Sequence, residues 1–198
     1  WKPEGWAPGS AAKGGAKGAG GPAKQTAPAS VPLTARQAVF SGRFLLMWLV
    51  FFCNITAGIA IIGFQSPLLQ SLWKKAEPGL SAAVLAGFGA TLIAVSSLFN
   101  GAGRFFWGMV SDRMGRVQTF RLMLGTQIVV FAGLVLTGSP WLFAVLVCWV
   151  LLCYGGGFGT MPAFVSDTFG SGIMGPVYGA VLTAWAAAGI VGPQIVAV

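Results

Sequence analysis

Three charged residues, Asp112, Arg113 and Arg116, lie within five positions of one another between two long apolar runs. The run before them reaches back to about residue 82, and the run after them extends to about residue 136. A carboxylate in such a place can face a helix N-terminus or a cation, and guanidinium groups can bind carbonyl and carboxylate oxygens. The spacing therefore predicts a tight turn at a membrane surface that carries a cluster of ion-pairing groups.

Arg104 is the one basic residue that we expect to lie deep within a span, about eight residues or roughly 12 Å along a helix from Asp112. An arginine inside a bilayer costs a few kcal/mol and persists where a cavity, a partner or a ligand compensates it. Its flat fork of donors matches a carboxylate, which favours recognition of a small organic anion. The alternative is an arginine that extends to the nearer interface, and the residues alone leave both interpretations open.

Tyr154 and Phe158 lie four positions apart and so share one face of a helix. They could form an aromatic wall of a binding site, to which Tyr154 adds a hydroxyl donor. An aromatic strip of this kind also serves as packing or lipid-facing surface. The glycines that follow Tyr154 have spacings typical of close helix packing, and we assign them no ligand.

The chain contains no histidine, and none of its four acidic residues lies within an apolar run. This composition excludes HExxH zinc chemistry and Ser/His or Cys/His nucleophile pairs. Cys53, Cys148 and Cys153 all fall in apolar runs and are typical of small core residues. We therefore expect a protein that is not an enzyme and that has no metal site and no cofactor.

The elements that position these residues are membrane helices. Hydrophobic residues make up 56% of the chain and charged residues 8%, with a mean hydropathy of +0.79, which excludes a soluble domain. About 20 residues of helix cross the roughly 30 Å of bilayer hydrocarbon, and helices satisfy their own backbone there. We predict an all-α, polytopic transmembrane helix bundle in residues 41–198, with helices at about 43–64, 82–107, 117–136, 141–165 and 177–198.

Residues 1–40 are rich in Gly, Ala, Pro and Lys and offer little to bury, so they predict a disordered linker. Their lysines are solitary, which argues against nucleic acid as a partner. With alternating helices, nine basic residues fall on one side and Lys74 and Lys75 on the other, which predicts that the linker and the Asp112 turn are cytoplasmic. Trp73 and Trp141 are predicted to anchor the outer interface and Trp107 the inner one.

The chain begins with Trp1 and its last predicted helix is hardly complete, so we expect a piece of a longer protein. Transporters built from two similar halves place their pathway between the halves. The other half of such a protein is therefore an expected partner, together with the lipid bilayer.

The pattern Gly108-x-x-x-Asp112-Arg113-x-Gly115-Arg116 resembles the signature loop of the major facilitator superfamily, and every fixed position is present. The resemblance implies that these five residues form a latch that is closed in one access state and broken in the other. We expect Gly108 to permit close approach to a neighbouring helix and Gly115 to permit the turn. A simple loop with positive residues inside is the alternative.

The segment 98–108, the segment that starts at Tyr154, and Tyr178-Gly179 through Thr183-Ala184 resemble the eighth, tenth and eleventh helices of the oxalate/formate antiporter family, which is related to monocarboxylate transporters. The resemblance implies helices seven to eleven of a twelve-helix fold, that is, five helices of its C-terminal half, and a multi-pass protein of the plasma (bacterial inner) membrane. It also implies that Arg104, Tyr154 and Phe158 line the substrate cavity.

This family has a lysine on its eleventh helix at the position that Trp185 occupies here, and we include Trp185 among the substrate-binding positions. Because a dianion would lose one countercharge, we expect transport of a monocarboxylate such as formate, lactate or pyruvate, ahead of oxalate. Antiport and proton symport both stay open. The alternatives are a major facilitator carrier of a non-anionic solute or drug, and a non-transporting receptor or scaffold.

Overall fold

A computed structural model describes residues 33–197, with side chains to residue 195. All regular structure in this part of the chain is helical. In chain order the helices are α1 (Ala35–Val39), α2 (Gly42–Ile62), α3 (Gln65–Ala76), α4 (Ala82–Met114), α5 (Arg116–Leu136), α6 (Pro140–Phe169), α7 (Met174–Val181) and α8 (Thr183–Ala197), with a 3₁₀ turn at Ser171–Ile173.

Five helical stretches are long and apolar enough to cross a membrane: α2, α4, α5, α6 and the stretch Ser171–Ile195 that contains α7. This finding confirms the predicted all-α bundle with five spanning helices. Helix α6 lies at the centre, where it packs most extensively against α4 and also contacts α2 and α5, while α8 packs against α2. We call the end that carries the turn at Gly115 the charged end of the bundle.

Two spans are longer than their apolar runs. Helix α4 continues from the predicted residue 107 to Met114, and α6 continues from residue 165 to Phe169. Charged and polar residues continue a helix into water as readily as apolar ones, so hydropathy marks the membrane-embedded part and not the helix end. The connection between α4 and α5 is consequently a single residue, Gly115.

The last span is interrupted at Leu182, although the sequence predicts a single helix there. The backbone N–H of Trp185 donates to the Leu182 carbonyl, three residues back, and the Thr183 hydroxyl donates to the Ala180 carbonyl at 2.7 Å. Thr183 also accepts a hydrogen bond from the Trp48 indole of α2 at 2.9 Å. These bonds replace regular helical bonding and connect the break to α2.

Two helices do not follow from hydrophobic runs. The short helix α1 lies within the last residues of the predicted linker, where Thr34 and Gln37 form a capping box and Ala38 is fully buried. Residues 1–32 of that linker lie outside the described residues. Helix α3 is too polar to be recognised as a span, and it is held by the burial of Gln65 and Leu69 against the bundle.

Glycines allow α4 and α6 to meet backbone to backbone. A Cβ added at Gly103 would overlap the Leu152 carbonyl, and one added at Gly155 would overlap the Asn100 carbonyl. At Gly159 the added Cβ would lie 2.6 Å from the Arg104 carbonyl oxygen. These glycines therefore do what their spacing predicts, which is to pack helices closely.

The predicted role of Trp107 as an interfacial anchor is wrong. Its side chain is 1% exposed and lies against Gly156 of α6, where there is no side chain to exclude the indole. Trp73 and Trp141, in contrast, meet at the end of the bundle opposite the charged end, with ring centroids 5.5 Å apart, and Trp141 is largely exposed.

A buried polar network joins three helices. The Asn54 amide of α2 donates to the Cys153 carbonyl of α6 at 3.1 Å, and the Gln127 amide of α5 donates to the Asn54 side-chain oxygen at 2.7 Å. Gly157 leaves the space that the Asn54 amide occupies. Because Asn54 and Gln127 are both buried, the network fixes α2 and α5 against α6 at one register.

We expect Asn54→Leu to lower the free energy of unfolding by about 1 to 2 kcal/mol, since interhelical hydrogen bonds in membranes contribute about 0.6 kcal/mol each and a buried partner left unpaired costs more. The matched control is Thr56→Val on the same helix, because the Thr56 hydroxyl is buried without a partner among the described residues. Thermal unfolding of both variants in detergent measures the difference. Equal stability of the two variants would contradict a stabilising role for the network.

Candidate functional site

Arg104 lies in α4, one of the helices that are long and apolar enough to cross a membrane. It is ten residues, or about 15 Å of helix, before the end of α4 at Met114. Its side chain is exposed on the surface of the bundle, and both ion pairs of the described residues use Arg116. Within this part of the chain the Arg104 guanidinium therefore has no carboxylate to neutralise it, and an isolated charge inside a bilayer is costly.

Helix α6 positions the Arg104 side chain. Gly159 lies against the Arg104 backbone, so the two helices are as close as their backbones permit. One residue before, Phe158 places its ring 6.0 Å from the Arg104 guanidinium carbon, within the range of a cation–π contact. The predicted pair Arg104 and Phe158 is thus brought together.

The other two predicted residues extend this cluster. The rings of Tyr154 and Phe158 meet edge to face with centroids 5.3 Å apart, and Trp185 lies near the Tyr154 hydroxyl without a hydrogen bond to it among the described residues. Gly58 of α2 leaves room for the Tyr154 ring. Trp185 itself is 51% exposed, and Arg104 is exposed as well.

Tyr178 of α7 is a further member of this cluster that sequence reasoning missed. Tyr178 packs against the same buried core as Tyr154 and Phe158. The signal was present, because Tyr178 begins the segment that resembles the family's eleventh helix, but nothing in its spacing relative to Arg104 indicated proximity.

The donor groups of this cluster match one small anion in their chemistry. It offers a single guanidinium, with phenol hydroxyls and an indole N–H as further hydrogen-bond donors and an aromatic ring on the apolar side. A carboxylate is the planar acceptor that a guanidinium fork fits best. We call the cluster of Arg104, Tyr154, Phe158, Tyr178 and Trp185 the arginine site.

A second cluster lies at the charged end, around Arg116 at the start of α5. Its Nη1 lies 2.6 Å from Asp112 Oδ1, its Nε lies 2.9 Å from Asp167 Oδ2, and Nη1 also donates to the Ser111 hydroxyl at 2.9 Å. One guanidinium thereby joins the end of α4, the start of α5 and the end of α6. We call these four residues the Arg116 cluster.

The five predicted latch residues take different positions in the structure, and two of them form an ion pair. Asp112 and Arg116 form an ion pair, and Gly115 has φ +86°, a conformation that glycine adopts without strain. Arg113 is exposed and takes no part in either ion pair of the described residues. A Cβ added at Gly108 would meet nothing within 4 Å among those residues, so the close helix approach expected at Gly108 is not found there.

Asp167 is the acidic member of the Arg116 cluster that the latch prediction left out. It lies 51 positions from Arg116, but a local signal was available: Ser166-Asp167-x-x-Gly170 repeats the pattern Ser111-Asp112-x-x-Gly115. The two segments also end their helices alike, because Gly170 has φ +89° and its N–H donates to the Ser166 carbonyl as that of Gly115 does to Ser111. The same turn at the ends of two packed helices brings both carboxylates to Arg116.

These features define a multi-pass integral membrane protein that carries an exposed arginine on the spanning helix α4, without an ion pair among the described residues, and an ion-pair cluster at one end. Residues 3–193 match the Major Facilitator Superfamily, and the chain belongs to that family of transporters. The fold is accordingly part of a major facilitator bundle, and the family is one of transporters and not of enzymes.

Two curated relatives each match about three-quarters of this chain. The chain is 31% identical over 153 residues to the oxalate:formate antiporter of Oxalobacter formigenes, an alignment that covers 76% of this chain and 34% of the relative. It is 27% identical over 157 residues to apicoplast pyruvate carrier 1 of Toxoplasma gondii, which covers 76% of this chain and 27% of that relative. The chain therefore spans about a third or less of the length of the relatives it matches.

Proposed function

We propose that this chain is part of a secondary active transporter that moves a small organic anion across the membrane by alternating access. The observation that carries the proposal is the arginine site, where a guanidinium lies within a span and beside an aromatic ring, without a carboxylate partner among the described residues. A carboxylate substrate would supply the missing countercharge each time it binds. The two relatives support this class, because their names specify oxalate, formate and pyruvate, all of which are carboxylates.

The charge of the site favours a monocarboxylate such as formate, lactate or pyruvate. Trp185 occupies the position at which the oxalate/formate antiporter family, which this chain resembles, has a second cation. Arg104 is the one basic residue among the five residues of the arginine site. One guanidinium compensates one carboxylate, whereas the second carboxylate of oxalate would stay uncompensated in a poorly solvated cavity. Oxalate is therefore the second choice.

The open surface of the arginine site implies a further wall. We propose that the other half of the carrier, the N-terminal one, closes the substrate cavity over Arg104 and Trp185, since the pathway of a two-half transporter lies between its halves. In this arrangement residues 1–40 form the cytoplasmic linker, and the protein resides in the plasma (bacterial inner) membrane.

The Arg116 cluster supports the proposal of a latch. Side chains of Asp112 and Asp167 are 70% and 58% exposed, so each ion pair is worth about 1 kcal/mol or less. Contacts of this size stabilise one access state without trapping it, which suits a switch that must open in every cycle.

We expect Asp167→Asn to lower kcat about two- to fivefold with little change in KM, because it removes one ion pair of about 1 kcal/mol from one access state without touching the arginine site. Glu77→Gln, at the other end of the bundle, is the matched control for loss of one carboxylate. Initial rates of uptake over a range of substrate concentrations separate kcat from KM. A changed KM with unchanged kcat would contradict a latch.

The transport proposal is tested with a complete carrier that contains this sequence, reconstituted in liposomes. Uptake of radiolabelled formate, lactate, pyruvate and oxalate is measured with and without internal anion, and with and without an inward proton gradient. Acceleration by internal anion would establish exchange, and acceleration by the proton gradient would establish symport. Absence of carboxylate flux under every gradient would overturn the organic-anion proposal.

A further inference from the structure

A groove of about 380 Å³ opens at the charged end between α2, α5 and α6, and none of its lining residues belongs to the arginine site or the Arg116 cluster. Apart from two arginines and one threonine, its walls are apolar. It is lined by Arg43, Leu46, Met47, Val50, Val117, Phe120, Arg121, Leu124, Phe164 and Thr168.

Two matching helical stripes form the walls of this groove. On α2 the lining positions are 43, 46, 47 and 50, and on α5 they are 117, 120, 121 and 124. Both sets have the spacing i, i+3, i+4, i+7, which places their members on one face of a helix. Each stripe carries one arginine, so the two guanidinium groups belong to opposite walls of one groove.

The depth of the groove suits one leaflet of a bilayer. Arg43 is the second residue of α2, and Val50 lies seven residues, or about 10 Å, deeper. The hydrocarbon of one leaflet is about 15 Å thick, so the apolar walls extend through roughly two-thirds of it. Arg121 lies between one and two turns from the start of α5, and its long side chain can reach the interface.

Neither arginine has a countercharge within the part of the chain that the structure describes. Both ion pairs there use Arg116, and Arg121 donates only a long hydrogen bond of 3.5 Å to the Gln118 side chain. Arg43 and Arg121 are both exposed. Two unneutralised guanidinium groups therefore lie at the mouth of an apolar groove at the membrane surface.

We propose that this groove binds an anionic phospholipid of the leaflet at the charged end, which the distribution of basic residues predicts to be the cytoplasmic leaflet. The phosphate lies between Arg43 and Arg121, and an acyl chain extends along Val50 and Leu124. An apolar helix in the same place would leave both arginines without a countercharge. Free phosphate would leave the apolar walls exposed. A phospholipid satisfies both parts of the groove at once.

The test uses the 198-residue chain in nanodiscs that contain phosphatidylglycerol or phosphatidylcholine with a photoreactive diazirine in one acyl chain. We expect crosslinks to groove residues such as Met47 and Leu124, formed about tenfold or more in excess with phosphatidylglycerol, because two basic contacts at the surface favour the anionic lipid. Arg43→Gln with Arg121→Gln is expected to remove this preference.

Two control variants separate the groove from general attraction to charge. Lys74→Gln with Lys75→Gln removes the same number of charges at the opposite end, and the preference should persist. Val50→Trp keeps both arginines but fills the groove, and crosslinking to Met47 and Leu124 should fall. Circular dichroism confirms that each variant is folded.

Three results would overturn the proposal. The first is equal crosslinking by the two lipids. The second is complete competition by inorganic phosphate, which would make the groove a site for a free anion. The third is loss of the crosslinks in a complete carrier that contains this sequence, which would show that another helix covers the groove.

Discussion

Arg104→Gln is expected to lower kcat/KM for carboxylate uptake by about thirtyfold or more. Truncating one partner of a buried, hydrogen-bonded charge pair costs about 2 to 5 kcal/mol, and each 1.4 kcal/mol is a factor of ten. Arg104 is suited to such an effect because it lies within a span and its guanidinium has no carboxylate partner among the described residues. Counterflow of formate or pyruvate in liposomes measures the loss.

Two further variants show that the loss reports charge recognition. Arg104→Lys keeps the charge but loses the two-pronged geometry, so an intermediate rate is expected. Arg36→Gln removes an exposed charge of α1 and should leave uptake unchanged. Retention of most of the flux in Arg104→Gln would indicate a carrier of a neutral solute within the same superfamily. Tight carboxylate binding without flux in the unmodified protein would indicate a receptor.

Properties that depend on neighbouring residues could be predicted from the sequence. The five spans follow from apolar runs that are long enough to cross the hydrocarbon of a bilayer, and the structure confirms five such helices. The turn at Gly115 follows from a glycine between two helices, and its φ of +86° bears this out. The close contact of α4 with α6 follows from small residues at helical spacing.

Properties that depend on distant partners could not be predicted in the same way. Trp107 is buried because Gly156, 49 positions later, provides a flat surface for its indole, and no periodicity near Trp107 indicates this. Helix α3 forms because a polar helix can be stabilised by packing on α4. Asp167 joins Asp112 at Arg116 only because α4 and α6 end in the same turn at the same end of the bundle.

The arginine site could be predicted from the sequence only in part. The resemblance to known carriers indicated Arg104, Tyr154, Phe158 and Trp185, and the structure brings these four side chains into one cluster. Tyr178 is added by the packing of α7, which sequence spacing does not determine. Their role in substrate binding stays a prediction until transport is measured.

Trp185→Lys is the change expected to alter substrate choice most. It adds a second cation near the Tyr154 hydroxyl, at a position that is exposed as Arg104 is. A charge pair formed in a poorly solvated cavity is worth about 1.5 kcal/mol or more, so the ratio of oxalate to formate uptake should rise at least about tenfold. Competition between the two labelled anions in liposomes measures this ratio.

The control for this change is Trp185→Met, which removes the indole without adding charge. If loss of bulk alone admitted oxalate, Met and Lys would raise the ratio equally, and the charge argument would be wrong. If the lysine alone raises it, one guanidinium is what restricts the unmodified site to monoanions. If the gain for oxalate in Trp185→Lys disappears when Arg104→Gln is added, both cations contact the same substrate. A dianion held by only one of them is no better compensated than in the unmodified carrier.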